Sequence, residues 1–261
     1  MRFDDKVALI TGAARGIGAC VALQFAKEGA SIVALDITQD IPAIDYSLGN
    51  VSDLEKVVND VKKMGRNAIG VIADVSKSAQ VKIAVDKAIV EFGKIDILIN
   101  NAGLNAGQGV PFLESKQEMW EKDIAVNLYG TMNCAKAVIP GMVIQKYGKI
   151  INFSSIAAQQ GGGSYSAAKA AVIAFTRGLA TEFGPSGINV NAIAPAVVKT
   201  QFFASIGERA NQMFKDVATF APLRRNQTVE DIANAVAFLA SDGSKDITGQ
   251  CIQINSGLFM L

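Results

Sequence analysis

The chain has 261 residues, half of them hydrophobic and 19% charged, and a formal net charge of +1. That is enough apolar material for one large α/β domain or two small ones, and too little positive charge to gather nucleic acid or an anionic membrane surface. There is no histidine, so Ser-His-Asp and Cys-His catalysis and any histidine-ligated metal are excluded, and acid–base work near neutral pH must fall to a perturbed Tyr, Lys, Cys or carboxylate.

Residues 6–11 read as a short buried strand. Gly12-Ala13-Ala14-Arg15-Gly16-Ile17-Gly18 follows and leads into a helix closed by Gly29. Strand, glycine turn, helix is the context in which such glycines let the backbone approach a pyrophosphate, with the free N–H groups of the helix start aimed at it. A second apolar run, residues 31–35, ends at Asp36, 18 residues beyond Gly18. A carboxylate at this distance suits the ribose hydroxyls of an adenosine and repels a 2′-phosphate, which favours NAD over NADP. Arg15 pulls the other way, since a guanidinium in the turn can meet a 2′-phosphate.

Residues 38–51 form a connection broken by Pro42, Gly49 and Asn50. Ser52 and Glu55 have capping-box spacing, and Ser76 is placed to cap the next helix. Third and fourth strands are expected at 68–73 and 95–99, ending in Asp74-Val75 and Asn100-Asn101-Ala102-Gly103. Strands that are apolar throughout and alternate with helices imply a parallel sheet covered on both faces, with ligands at the carboxyl ends of the strands. Gly12, Asp36, Asp74 and Asn101 all fall at those ends.

A long helical region, 115–147, carries Asn127 at its middle and Pro140 as a kink or break. Asn is a poor helix former, so a buried one implies a hydrogen-bonding task. A fifth strand, 148–153, ends in Ser154-Ser155. Gly161-Gly162-Gly163 then opens a helix that contains Ser164-Tyr165-Ser166-Ala167-Ala168-Lys169. On that helix Tyr165 and Lys169 share a face. An ammonium one turn away favours the phenolate and lowers its pKa, and a tyrosine so acidified can trade a proton with an alcohol or carbonyl. A sixth strand at 188–193 precedes a Phe-rich stretch, 196–227, that reads either as a mobile lid over an apolar substrate or as a packed subdomain. Thr228 caps the last helix, and 250–254 make a seventh strand.

Cys20, Cys134 and Cys251 are scattered and odd in number, as expected of free thiols in a cytoplasmic protein. No apolar run approaches the roughly 18 residues of a membrane span, and the opening Met1-Arg2-Phe3-Asp4-Asp5-Lys6 lacks the apolar stretch of a signal peptide.

In order and spacing, Thr11-Gly12-x-x-x-Gly16-Ile17-Gly18, Asp74-Val75, Asn100-Asn101-Ala102-Gly103, Asn127, Ser155, Tyr165-x-x-x-Lys169 and Asn189-Val190-Asn191 resemble the short-chain dehydrogenase/reductase family over nearly the whole chain. The resemblance implies a single doubly wound Rossmann domain over 1–261, with a seven-stranded parallel sheet and a substrate lid at about 196–227. It implies Tyr165 as the acid–base and Lys169 as the group that lowers its pKa and binds the nicotinamide ribose. Ser155 would hydrogen-bond the substrate oxygen, and Asn127 would hold a water of a proton relay. Asp74 and Val75 would contact the adenine, Asn101, Ala102 and Gly103 would pack on the cofactor, and Val198 and Thr200 would meet its carboxamide and phosphates. Two features depart from the pattern: the 10-residue step from Ser155 to Tyr165 is short, with Ser154 as the lesser alternative, and Ala196 follows Pro195 where the family has glycine.

The expected activity is NAD-dependent oxidation of a secondary alcohol or reduction of its ketone. Tyr46-Ser47-Leu48 ahead of the second helix is loosely similar to members that act on cyclic and terpenoid alcohols, which makes a cyclic, terpenoid or aryl alcohol the first substrate expectation. The alternative is a 3-hydroxyacyl-CoA dehydrogenase or 3-ketoacyl-thioester reductase, with Arg209, Lys215, Arg224 and Arg225 as anchors for a CoA phosphate or, equally, as a solvated face. A non-catalytic dinucleotide-binding subunit is the reading from another class. The family resemblance also implies a homotetramer, and the apolar tail Gly257-Leu258-Phe259-Met260-Leu261 suits an interface.

Overall fold

Val7–Thr11, apolar but for its last residue and buried at every position, forms the central strand β1. The computed structural model describes residues 1–260 other than Ala43 and Asp45, with Ala204 and Ser205 as backbone only. The chain continues through α1 (Gly16–Lys27), β2 (Ser31–Asp36), α2 (Val51–Lys63), β3 (Ala68–Ile72), α3 (Ser78–Phe92) and β4 (Ile97–Asn100). Next come α4 (Gln117–Ile124), α5 (Gly130–Gln145), β5 (Gly148–Phe153), α6 (Ala157–Gln160), α7 (Gly163–Phe183) and β6 (Ile188–Pro195). The last elements are α8 (Gly207–Phe220), α9 (Val229–Leu239) and β7 (Cys251–Ile254).

The seven strands pair in parallel in the order β3-β2-β1-β4-β5-β6-β7. This is the doubly wound sheet expected. Alternate residues of β1 serve opposite cores: Ala8 and Ile10 join the layer of α1, α2 and α9, while Val7 and Leu9 join that of α3 and α5. The strand order reverses between β1 and β4, so a crevice opens where β1 runs into Gly12 and β4 into Asn101.

Three local expectations give way to better alternatives. The cap of α2 is Asn50, two residues ahead of Ser52: its Oδ1 accepts from Asp53 N at 3.0 Å and Asp53 Oδ2 accepts from Asn50 N at 3.1 Å. Leu54, Val57, Val58 and Val61 form the buried face of the helix. Ser76 does not cap α3, because its N–H donates to Asp74 Oδ1 at 2.8 Å in a turn and the helix begins after Lys77. Pro140 lies inside α5 without ending it, and the irregularity of the long helix sits earlier, in a π-helical turn at Ala125–Tyr129.

Candidate active site

Tight packing under the glycine turn makes the cradle. Gly12 has φ +66°, and a Cβ there would lie 2.8 Å from Asn101 Nδ2 and 2.9 Å from Ala102 Cα. Asn101 Nδ2 donates to Thr11 O at 2.8 Å and Gly12 O at 3.0 Å, and Ala102 N donates to Thr11 Oγ1 at 3.0 Å. Asn101 and Ala102 thereby tie the end of β4 to the turn. Gly18 is buried behind the turn. Arg15, at the N-cap of α1, supplies no side-chain cap, and no acidic side chain stands in the first turn. The positive end of α1 therefore opens unopposed onto the crevice, which fits a dinucleotide pyrophosphate.

Asp36, the last residue of β2, lines the same crevice. It is buried, with Oδ2 accepting from Ala14 N at 3.0 Å and Oδ1 from Thr38 N at 3.2 Å. A carboxylate has about four acceptor sites, so capacity for ribose hydroxyls remains. Gly49 of the β2–α2 connection passes close above: a Cβ there would be 2.8 Å from Ala14 Cβ and 3.6 Å from Asp36 Oδ1. Arg15 points elsewhere, donating through Nη1 to Gln201 Oε1 across the crevice. Ile17, Asp74, Val75, Gly103, Val198 and Thr200 line the same crevice, and Gly16 faces Thr200. This places the predicted cofactor residues, Gly18 behind the turn excepted, along one cleft of about 1140 Å³.

At the far end of that cleft lie Ser155, Tyr165 and Lys169. Ser154 is excluded as the exposed hydroxyl, since its Oγ donates to Lys169 O at 2.8 Å in the interior. Lys169 is buried, its Nζ donating to Phe153 O at 2.8 Å and lying 5.6 Å from the centre of the Tyr165 ring. Burial lowers the Lys169 pKa to about 8, against a nearby Asp123 charge that raises it. Burial also pushes the Tyr165 phenol up, and the Ser155 hydroxyl is what works against this. The expected depression of the Tyr165 pKa by Lys169 does not set the direction of its shift: the side chain is half-buried, and desolvation of the phenolate is the largest influence on it.

Asn127 is wholly buried at the middle of the π turn. Its Nδ2 donates to Leu104 O at 2.8 Å and Asp123 O at 2.9 Å, and its Oδ1 accepts from Leu104 N at 3.3 Å. It thereby holds the β4–α4 connection against the helix. A Cβ at Gly103 would lie 2.7 Å from Asn127 Oδ1 and 3.3 Å from Lys169 Nζ, so the bare glycine keeps both groups near the cleft floor.

Three further side chains, Phe202, Tyr46 and Asp123, line the cleft although the motifs did not assign them to it. Phe202 has its ring centre 5.9 Å from Tyr165 and 5.8 Å from Tyr46. Tyr46 is buried, and burial pushes its phenol up to about 12. Asp123 is buried in the cleft wall and bonded to Ser164, the neighbour of Tyr165. The one sequence signal for Asp123 was its position one turn before Asn127 on a helix.

A dinucleotide cradle at the switch point and a Ser-Tyr-Lys cluster beside it define an oxidoreductase site. Residues 12–259 match the family model described as enoyl-(acyl carrier protein) reductase. The chain is 37% identical over 260 residues to the 3-oxoacyl-[acyl-carrier-protein] reductase FabG of Staphylococcus epidermidis, covering 98% of this chain and all of that one. Its fold superposes on carveol dehydrogenase from Mycobacterium avium in complex with NAD with a TM-score of 0.92 at 32% identity, covering 98% of each chain. NAD+-bound xylitol dehydrogenase gives 0.88 at 30% identity, covering 98% of this chain and all of that one. The chain belongs to the short-chain dehydrogenase/reductase family.

Proposed function

We propose that this chain is an NAD(H)-dependent reductase of 3-oxoacyl thioesters, working reversibly on the corresponding 3-hydroxyacyl thioesters. The observation that carries the substrate class is its whole-length similarity to a 3-oxoacyl-[acyl-carrier-protein] reductase. The cleft suits such a substrate: Phe202, Phe203, Ile206 and Met213 give an apolar wall, and Arg209 stands at the mouth beside Gly109. The cofactor preference rests on the buried Asp36 carboxylate, on the close passage of Gly49, and on Arg15 being turned to Gln201. A 2′-phosphate there would meet a negative charge with no guanidinium opposite.

When bound, the nicotinamide supplies or accepts the hydride. Tyr165 donates a proton to the carbonyl oxygen in reduction and takes it back in oxidation, Ser155 donates a hydrogen bond to that oxygen, and Lys169 holds positive charge beneath them. Asn127 fixes the floor on which Lys169 sits. Residues 196–227, with Phe202 against Tyr165, serve as the lid.

A second reading, oxidation of a cyclic secondary alcohol, is favoured by the aromatic enclosure of Tyr46, Phe202 and Tyr165 and by the fold neighbour that acts on carveol. Absorbance of the reduced nicotinamide separates the two. Acetoacetyl-CoA is expected to consume NADH at least tenfold faster than NADPH. Faster reduction of NAD by carveol would replace the thioester reading, and preference for NADPH would remove Asp36 as the determinant.

We also propose a homotetramer. Ile83 and Val90 of α3 and Ile144 of α5 are exposed on one layer of helices, and Phe238 and Ile252 are exposed at the β7 edge. Met260 is exposed as well, while Leu261 of the apolar tail lies outside the described residues. Two separate apolar faces suit two interfaces. Sedimentation of the full chain should give four times the monomer mass, and a monomer would overturn the assignment.

A further inference from the structure

The helix α4 buries a carboxylate where a soluble helix ordinarily turns an apolar residue inward. Asp123 is 1% exposed, yet it lies between Lys122 and Ile124 at the edge of the catalytic cleft. Its two oxygens both face donors: Oδ1 accepts from Ala106 N at 2.8 Å and Oδ2 from Ser164 Oγ at 2.6 Å. The Ala106 N–H can only donate and the Ser164 hydroxyl is placed to donate as well, so both oxygens are matched by donors in the ionised form. Its backbone carbonyl accepts from Asn127 Nδ2 at 2.9 Å. One residue thus touches the β4–α4 connection, the π turn and the first turn of α7.

The charged and titratable groups around it come from every element packed there. Lys169 and Tyr165, from α7, and Tyr46, from the β2–α2 connection, line the same cleft as Asp123. Of these only Lys169 is a cation. Burying an ammonium without a counter-charge is costly enough that the group normally gives up its proton.

We propose that Asp123 is the positioning residue of the catalytic pair: its carboxylate anchors Ser164 at the start of the helix that carries Tyr165 and is the buried counter-charge to the Lys169 ammonium. This rests on the reading that Tyr165 and Lys169 carry the chemistry. Electrostatics agree with the geometry. Burial pushes the Asp123 carboxyl up, with Ser164, Ala106 and Lys169 pulling it back, while Asp123 raises the Lys169 pKa against its own burial.

Competitive acetylation by acetic anhydride, followed at the Lys169 peptide by mass spectrometry, titrates this lysine without any substrate, because only the free amine reacts. In Asp123→Asn the midpoint of labelling is expected to fall by about one pH unit. Asp123→Glu should restore it, and Ser164→Ala, which keeps the charge, should leave it in place. The alkaline fall of kcat/KM for acetoacetyl-CoA reduction should move with the labelling. Should Asp123→Asn fail to fold, Asp123→Ser removes the same charge. An unmoved midpoint in whichever neutral variant folds overturns the proposal, since a carboxylate that merely braced the loop would lower kcat without moving a titration. Tyr165→Phe separates the two levels: full turnover in that variant would overturn the catalytic reading itself, whatever the labelling shows.

Discussion

Replacing Tyr165 by phenylalanine is expected to lower kcat/KM about 10²- to 10⁴-fold in both directions while NADH binds as before. The expectation follows from what else is in the cleft. Without histidine, and with Asp123 occupied by Ser164 and Ala106, the phenol is the acid nearest the Ser155 hydroxyl. Serine cannot replace it, since an alkyl hydroxyl neither gives nor takes a proton near neutral pH. Phenylalanine keeps the ring that packs 5.9 Å from Phe202, so the aromatic contact across the cleft is retained. Because burial raises the Tyr165 pKa, the free phenol is protonated at neutral pH and ready to donate. Reduction should therefore be steady through neutrality and fall above about pH 8, as Lys169 loses its proton. Oxidation, which needs the proton accepted, should climb with pH over the same range. Steady-state rates and NADH fluorescence titration measure both halves; turnover within tenfold of the wild type would remove Tyr165 from the acid–base role.

Features carried by short local patterns were legible from the chain. Fully apolar runs become strands covered on both faces, and the ends of those strands collect Gly12, Asp36, Asp74 and Asn101 because parallel topology leaves them nowhere else to go. What was not legible depends on packing between distant segments. Asn50 and Asp53 have the same capping-box spacing as Ser52 and Glu55, and α2 starts from the first pair. Asp123 reads as one more polar residue in a mixed helix. It becomes a buried group because α7 and the β4–α4 connection close over it, with Ser164 and Ala106 donating to its carboxylate. The Tyr165–Lys169 spacing predicts proximity correctly, but proximity on a helix says nothing about how much water the partners keep. Here the loss of water is the larger effect on Tyr165.

Gly18→Ala should be the most damaging single methyl in the dinucleotide cradle, lowering the melting temperature of the free protein by roughly 5–10 °C. Gly18 has no positive φ, so the backbone itself tolerates alanine; space does not. Its Cβ would overlap the Gly12 carbonyl oxygen and stand 2.8 Å from Gly12 C and 2.6 Å from Asn101 Nδ2. Backbone atoms cannot rotate away as a side-chain tip can, so α1 must lift off the turn. That displacement breaks the Asn101 bonds to Thr11 and Gly12 and unties β1 from β4. Gly16→Ala is the control. There φ is +56°, which costs a side chain about 1 kcal/mol, but the nearest atom a Cβ would meet is Thr200 Cγ2 at 3.7 Å, an ordinary contact. The methyl of Gly16→Ala projects toward the cleft, so it should weaken NADH binding while costing only a few degrees of melting temperature. The two variants thus fail in opposite order, one in folding and the other in binding. A Gly18→Ala protein that melts with the wild type would mean that α1 can slide along the turn without penalty, and that the close approach of helix to turn is not what shapes the pyrophosphate site.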